Sequence, residues 1–287
     1  MSHSIHSILN FGIKRLKDCG VQNFNFEATF LLEEVLSVTR EYLFLNKDKV
    51  VSTKNFNKFK TYITRRLDGE PIQYISKTAH FFSKKFHIMS GVLVPRPETE
   101  ILVEKVLSEI SKQNRGNLTC MDMCTGTGCI GLTLCLETEK IKQMFLIDNY
   151  KKPEKCCLRN ISSLNLSLKA SYVSSDLFKS VTKIKFDYII SNPPYISNKD
   201  YGALNKDIMR FEQKSALIAG SEGLTFIKKI STEAGDYLKN GGHLFLEVGY
   251  NQGNKVKKLL ESIGYEDVIS YNDLNGIQRV VKGKWKK

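Results

Sequence analysis

From about Glu98 to the end of the chain, short apolar runs alternate with stretches of helical character. The runs read TCMDM, QMFLID, KASYVS, FDYIIS and GHLFLEV. Strands that alternate with helices are typical of βαβ units, in which the strands share one parallel sheet and helices cover both of its faces. The sequence therefore predicts an α/β domain over residues 98–287, with its ligand at the carboxyl ends of the strands.

Residues 1–75 have a different pattern, because their apolar side chains recur at helical spacing. Asn25 and Ser52 are placed to cap two of the predicted helices. The apolar positions of the three helices are Ile5, Leu9, Ile13 and Leu16; Phe26, Phe30 and Val35; and Phe56, Phe59, Ile63 and Leu67. The sequence predicts a small helical bundle that ends at the breaker DGEP, followed by a β-hairpin linker over 76–97 joined through Ser83, Lys84 and Lys85.

Composition limits the class of protein. Of 287 residues, 41% are hydrophobic and 25% charged, as in a soluble globular protein, and no apolar run approaches the roughly 20 residues of a membrane span. The seven cysteines include no C-x-x-C pair, which predicts free thiols in the cytoplasm and neither a zinc site nor disulfides. The net charge of +13 fits a nucleic-acid or nucleoprotein partner, or a solvated lysine-rich surface.

The segment DMCTGTGCIG follows the first predicted strand and leads into a helix. Gly126 and Gly128 permit a tight turn and let a ligand approach the backbone, with the amide dipole of the helix facing it. The next glycine is Gly131, so the spacing lacks a full G-x-G-x-x-G, and a pyrophosphate ligand is disfavoured.

Acidic residues follow the next two predicted strands. Asp148 stands about twenty residues past the glycines, where a carboxylate can accept hydrogen bonds from a ribose diol. Taken alone, an acid at a strand end more often caps the helix that follows. Asp176 could face an adenine amino group, with Leu177 or Phe178 against the ring. Those three could also be a cap and core contacts, and the sequence leaves both interpretations open.

The fourth predicted strand is followed by SNPPYIS. Two adjacent prolines remove two backbone donors and fix two φ angles, and Asn192 before them is pushed out of the helical region. A rigid segment with unpaired carbonyls is expected to hold a ligand in place. A ribose-binding acid, nearby glycines and this rigid segment together fit S-adenosylmethionine.

With NPPY and D-x-C-T-G-T-G, the chain resembles class I methyltransferases that alkylate a planar amide or an exocyclic amine. GEPIQYI (69–75) and VPRPETE (94–100) are similar to segments of the HemK/PrmC-type glutamine N5-methyltransferases, which modify the glutamine of the GGQ loop in peptide-chain release factors. LIAGSEGLTF, LEVGYNQG and DLNGIQR extend the resemblance over nearly the whole chain.

The resemblance implies a seven-stranded Rossmann-like class I methyltransferase sheet and S-adenosylmethionine as cofactor. We expect a cytoplasmic monomer with no metal, no membrane and no direct need for nucleic acid. Catalysis leaves the N-terminal bundle without a task, so the bundle is the candidate docking module for the release factor, and the alternative is that it buttresses the hairpin. The implied cofactor-binding residues are Cys124, Thr125, Gly126, Thr127, Gly128, Asp148, Asp176, Leu177 and Asn192. The implied catalytic residues are Asn192, Pro193, Pro194 and Tyr195.

A few positions depart from the pattern of the family. Gln213 stands where proline is common, Cys124 where glycine is frequent, and Leu177 where an aromatic residue is common. The segment VPRPETE is expected to line the mouth of the site, although Arg96 and Glu98 could instead form a salt bridge that stiffens the linker.

A glutamine amide nitrogen is a weak nucleophile because its lone pair is delocalised into the carbonyl, as in a peptide. The side-chain oxygen of Asn192 and the backbone carbonyl of Pro193 are expected to accept its two N–H bonds and to favour positive charge developing on nitrogen. Tyr195 is expected to pack against the amide plane. Positioning supplies most of the rate in this hypothesis, and no strong general base is needed.

Three alternative functions stay open at this level. A ribosomal-protein glutamine methyltransferase would share the chemistry. A nucleic-acid adenine methyltransferase would share NPPY and suit the positive charge, but no target-recognition domain or base-flipping insert is evident. A non-catalytic factor that binds the cofactor or the ribosome is disfavoured by the intact glycines, Asp148 and NPPY.

Overall fold

The structure is a computed structural model that describes residues 3–204 and 206–287. The chain divides into two compact units, Met1–Thr78 and Ala79–Lys287, each with hydrophobic clusters of its own. The functional boundaries drawn from the sequence at residues 75 and 97 stay predictions. No helix among the described residues combines the length and the apolar composition needed to cross a bilayer.

The first unit is built from helices packed around Leu16, Leu31 and Phe59, which are fully buried. Its two short strands, β1 (His3–Ser4) and β2 (Val50–Val51), pair antiparallel. Its helices are α1 (Ile5–Asp18), α2 (Phe24–Leu36), α3 (Arg40–Leu45), α4 (Thr53–Leu67) and α5 (Ile72–Ser76).

The predicted start of α2 was wrong. The helix begins at Phe24, so Asn25 lies inside the first turn, and Asn23 occupies the cap position without a side-chain hydrogen bond. Phe30 and Val35 are buried as expected, but Phe26 is 54% exposed because it lies on the outward side of the helix.

The predicted cap of α4 is confirmed, because Ser52 Oγ accepts a hydrogen bond from Asn55 N at 3.3 Å. Ser52→Ala should therefore destabilise the first unit by about 1 kcal/mol. Native-state hydrogen exchange of the α4 amides would measure the change in the full chain. Thr61→Ala is the matched control, because the Thr61 hydroxyl, as far as the structure describes the chain, bonds only to Asn57 O of the same helix. An equal effect of both substitutions would contradict the capping argument.

Strands β3 (Thr78–Phe81) and β4 (Lys84–His87) form the hairpin. The turn contains Phe82 and Ser83, whose φ angles of 51° and 58° are the two positive values of a type I′ turn. The predicted connection through Lys84 and Lys85 was wrong, because the twist of the strands favours a two-residue turn and places both lysines in β4.

Seven strands within the described residues form one mostly parallel sheet, in the order β10-β11-β9-β8-β5-β6-β7. The strands are β5 (Leu118–Met123), β6 (Ile141–Asp148), β7 (Ala170–Ser174), β8 (Phe186–Ser191), β9 (Leu238–Glu247), β10 (Glu266–Asn272) and β11 (Gln278–Lys284). The five apolar runs of the sequence correspond to β5–β9, which pair in parallel, whereas β11 runs antiparallel to both β9 and β10. The predicted seven-stranded α/β fold is confirmed.

Helices cover both faces of this sheet, and the carboxyl ends of β5–β9 meet at one edge. The hairpin belongs to the same core, since Phe81 and Phe86 are buried in the cluster that contains Tyr188 and Phe245 of the sheet. The helices of this unit are α6 (Glu100–Ser111), α7 (Cys129–Glu137), α8 (Lys151–Ser163), α9 (Asn198–Tyr201), α10 (Lys206–Phe211), α11 (Thr225–Glu233) and α12 (Gly253–Ile263).

Candidate active site

A tight turn connects β5 to α7 over Cys124–Gly128. Cys124, Gly126 and Gly128 have φ angles of +61°, +56° and +82°, in the region that favours glycine. A Cβ on Gly128 would lie 2.9 Å from both the Cys157 sulfur and a carbon of Leu132, so glycine is required there for packing as well as for conformation. Cys124 adopts at some cost the conformation that a glycine would adopt freely.

Asp122 lies beneath this turn and is fully buried. Its Oδ2 accepts hydrogen bonds from Thr125 Oγ1 at 2.6 Å and from Gly131 N at 3.0 Å. Its Oδ1 has no hydrogen-bond partner among the described residues. Burial raises the pKa of Asp122 to about 7, although the two donors oppose that shift. Asp122 therefore fixes the turn from below and is a structural residue that the sequence did not single out.

Asp148 ends β6 and faces the turn. Gly126 N donates to its Oδ2 at 3.0 Å, and Tyr150 N donates to its Oδ1 at 3.3 Å. Burial raises the pKa of Asp148, against the backbone hydrogen bonds from Gly126, Tyr150 and Asn149 that lower it. A carboxylate has about four lone-pair sites, so both oxygens can still accept hydrogen bonds from the hydroxyls of a ligand.

Asp176 and Leu177 follow β7, and both line the same cavity as Asp148. Leu177 has a φ of +52°, and Asp176 pairs with Lys179 at 2.5 Å. Phe178 points elsewhere, since it stacks on Tyr237 with ring centroids 4.6 Å apart. Of the two candidates to face an adenine ring, Leu177 is therefore the one beside the cavity.

The NPPY segment leaves the sheet directly after β8. Ser191 Oγ anchors its start by donating to Met123 O at 2.6 Å. Asn192 Nδ2 donates to Thr99 Oγ1 at 3.2 Å, and no hydrogen bond to Asn192 Oδ1 occurs within the described part of the chain. Burial and the nearby Glu247 carboxylate raise the pKa of Tyr195 well above its usual value, so its hydroxyl stays protonated.

Two later segments hold NPPY from behind. Gln252 Nε2 donates to Tyr195 O at 2.9 Å, while Gly249 N donates to Gln252 Oε1 at 2.9 Å. Gly223 has a φ of +73°, and a Cβ there would lie 2.2 Å from Tyr195 O. The segments LIAGSEGLTF and LEVGYNQG, which the sequence marked only by resemblance, thus buttress the rigid turn.

A cavity at the carboxyl edge of the sheet brings most of the predicted residues together. The predicted residues that line it are Cys124, Thr125, Gly126, Thr127, Asp148, Asp176, Leu177, Asn192 and Pro194. Gly128, Pro193 and Tyr195 are outside its lining: Gly128 starts the helix behind the turn, Pro193 is buried, and Tyr195 packs toward Glu247. Lining residues that the sequence did not predict include Val92, Asn149 and Tyr150, whereas Thr99 belongs to the segment VPRPETE that was expected there.

Arg96 also lines the cavity, as expected for the segment VPRPETE. Its ionic partner is Glu212 at 2.5 Å, rather than Glu98 as the salt-bridge alternative supposed. Burial raises the pKa of Glu212, and Arg96 opposes the shift. Because Glu212 follows NPPY by about twenty residues, this pair ties the segment after the turn to the mouth of the cavity.

Comparisons with known proteins agree with this geometry. A family model described as the PrmC N-terminal domain matches residues 7–76, and one described as the Methyltransferase small domain matches residues 97–216. The release factor glutamine methyltransferase of Clostridium botulinum is 34% identical over 98% of this chain and 99% of that protein. The same-named protein of Vibrio cholerae is 35% identical over 100% of this chain and 98% of that protein. The chain belongs to the release factor glutamine methyltransferase family.

The sheet of this family member is also found in a solved methyltransferase from Pyrococcus furiosus. The two superimpose with a TM-score of 0.52 and are 19% identical, over 79% of this chain and 98% of the other. At that level of identity the likeness shows the fold.

The cavity of the protein described here suits S-adenosylmethionine. A Cβ on Gly126 would meet only Val92 within 4 Å, at 4.0 Å, so the backbone of the turn faces open space into which a ligand can come close. Asp148 supplies a half-buried carboxylate on the same side, and Leu177 supplies an apolar surface. A ribose, an adenine and a compact charged end each find a suitable neighbour in this lining.

Proposed function

We propose that this chain transfers the methyl group of S-adenosylmethionine to the side-chain amide nitrogen of the glutamine in the GGQ motif of peptide-chain release factors. The supporting observation is that Asn192 and Pro194 line the same cavity as Asp148 and the glycine turn. In this proposal the substrate amide is bound beside the nucleoside of the cofactor. The full-length similarity to release factor glutamine methyltransferases supports the choice of substrate.

In this proposal Asn192 and Pro193 bind the substrate amide. Asn192 Oδ1 accepts one N–H bond, the carbonyl of Pro193 accepts the other, and both stabilise positive charge that develops on the nitrogen. The cofactor supplies an electrophilic methyl group on its sulfonium. Tyr195 helps to exclude water, and the prolines fix both acceptors before the substrate arrives.

The first unit, Met1–Thr78, is the proposed docking module for the release factor, and the enzyme is proposed to act as a monomer without direct need for nucleic acid. The net charge of +13 suits an acidic partner or one that works at the ribosome. The proposal has the enzyme acting in the cytoplasm, and the free state of its cysteines supports that location.

The test is transfer of tritium from S-adenosylmethionine to purified release factor whose GGQ glutamine is intact or changed to alanine. We expect tritium to appear only on the release factor whose GGQ glutamine is intact. Label on a ribosomal protein or on DNA instead would keep the methyltransferase and overturn the substrate. Equal labelling of both release factor forms would place the methyl group on another residue.

Gly223→Ala tests whether the buttress behind NPPY matters. The new methyl group would lie 2.2 Å from Tyr195 O, so the segment has to move, and we expect methyl transfer to fall about tenfold or more. Gly241→Ala is the matched control, because Gly241 has a similar φ of +78° with nothing within 4 Å of its Cβ. Single-turnover rates that fall equally in both variants would show a general folding defect in place of a displaced site.

A further inference from the structure

Thr99 lies between the proposed amide-binding residue and a buried acid. It is 2% exposed and ends the 3₁₀ turn Pro97–Thr99. Its Oγ1 accepts a hydrogen bond from Asn192 Nδ2 at 3.2 Å. Its hydroxyl also faces the carboxyl group of Glu247, at the carboxyl end of β9, and lowers the pKa of that group. Asn192, Thr99 and Glu247 are therefore neighbouring polar side chains, and the first two line the cavity.

Glu247 is an acid inside the protein. It is 2% exposed, and its Oε2 has no hydrogen-bond partner among the described residues. An orphaned buried carboxylate oxygen is costly and calls for a reason. Glu247 is absent from the cavity lining, so any effect it has on the reaction passes through a neighbour.

Several charged or titratable groups face Glu247. Burial raises the pKa of Glu247 to about 7; the Thr99 hydroxyl, Arg279 and the Tyr195 hydroxyl oppose the shift, while the Glu98 carboxylate adds to it. Arg279 is itself bound to Asp273 at 3.0 Å. The Cys129 thiol is also near, and burial raises its pKa to about 12, so it stays neutral.

The direction of the hydrogen bonds follows from the number of protons. An ionised carboxylate only accepts, so the single hydroxyl proton of Thr99 goes to Glu247. The Thr99 oxygen can then only accept from Asn192, which has to present its NH₂ group to Thr99 and its Oδ1 to the cavity. A protonated Glu247 could donate to Thr99 instead, and Thr99 could then donate to Asn192.

We propose that Thr99 and Glu247 are positioning residues that fix the side-chain amide of Asn192 with its oxygen toward the substrate. This inference rests on the proposed function, in which Asn192 Oδ1 accepts an N–H bond from the glutamine. A reversed Asn192 would point its own N–H groups at the N–H groups of the substrate. The acid thus selects one of two orientations of the amide.

Thr99→Val removes the hydroxyl with little change in shape. We expect the single-turnover rate of methyl transfer to fall about 10- to 100-fold, while Thr99→Ser stays within about threefold of the wild type. Affinity for S-adenosylhomocysteine should also stay within about threefold, which shows that the variant is folded. Nitrogen-15 spectra give a second readout, because the Asn192 NH₂ protons should exchange with solvent faster in Thr99→Val.

Glu247→Gln tests the acid. The wild-type rate of methyl transfer should fall as pH drops through about 7, because protonation of Glu247 allows the hydrogen bonds to reverse their direction. In Glu247→Gln this fall in rate at low pH should disappear. The double variant with Thr99→Val should be no slower than Thr99→Val alone, since in this proposal Glu247 acts on Asn192 through Thr99. Glu109→Gln is the control, because Glu109 pairs with Lys282 at 3.1 Å and is outside the cavity lining.

The outcomes separate the two proposals. A wild-type protein that does not methylate release factor refutes the proposed function. If the wild type is active, three results would each overturn the positioning role. The first is a rate of methyl transfer near normal in Thr99→Val, and the second is losses of rate that multiply in the double variant. The third is a fall in the rate of Glu247→Gln at low pH like that of the wild type.

Discussion

Asn192→Ala should slow methyl transfer to the release factor by about 100- to 1000-fold, the effect expected when one pre-organised polar partner of a developing charge is removed. This corresponds to about 3 kcal/mol of barrier lowering. The structure gives the reason for so large an effect from one side chain. Asn192 Nδ2 is engaged by Thr99 at 3.2 Å, so the oxygen is held in place before substrate arrives.

The measurement is the single-turnover rate at saturating cofactor, together with the affinity for S-adenosylhomocysteine. The rate should fall far more than the affinity, because Asn192 lies at the edge of the cofactor cavity and acts mainly on the amide. Asn198→Ala is the matched control, since Asn198 is exposed at the start of α9. Near-normal turnover in Asn192→Ala would show that the amide is held by other groups.

The sequence predicted the parallel core of the sheet because β5, β6 and β8 are nearly continuous apolar runs, as buried parallel strands require. It did not predict the antiparallel pair β10 and β11. In β10, Glu266, Asp267 and Ile269 are exposed, so the apolar signal of an edge strand is weak. The start of α2 was also missed, since both Asn23 and Asn25 are acceptable caps by residue type.

The site was predictable where chemistry follows a strand end directly. Asp148, the glycine turn and Asn192 are all within a few residues of β5, β6 or β8, and such residues converge at one edge of a parallel sheet. Glu247 also ends a strand, but its proposed role could not be found in this way, because it passes through Thr99. The role of Thr99 depends on a hydrogen bond from Asn192 across 93 positions of the chain, and a contact of that kind leaves no local pattern.

Asp148→Ala should weaken binding of S-adenosylhomocysteine about 100-fold. In the proposed site Asp148 accepts two hydrogen bonds from the ribose hydroxyls, and bonds to a charged group contribute about 1.5 kcal/mol or more each. The substitution also leaves Gly126 N without its acceptor, which lies 3.0 Å away. Titration calorimetry of the full chain measures the affinity without any need for turnover.

Asp148→Asn distinguishes the loss of charge from the loss of shape. The amide keeps one acceptor oxygen, but its NH₂ group has to face either Gly126 N, Tyr150 N or the ligand, all of which donate. We therefore expect a loss intermediate between the wild type and the alanine variant, about tenfold. Asp176→Asn should cost less, because Asp176 is half-exposed and already pairs with Lys179. If Asp176→Asn weakened binding more than Asp148→Ala, the ribose would be bound at the end of β7, and the orientation of the cofactor in the cavity would be reversed.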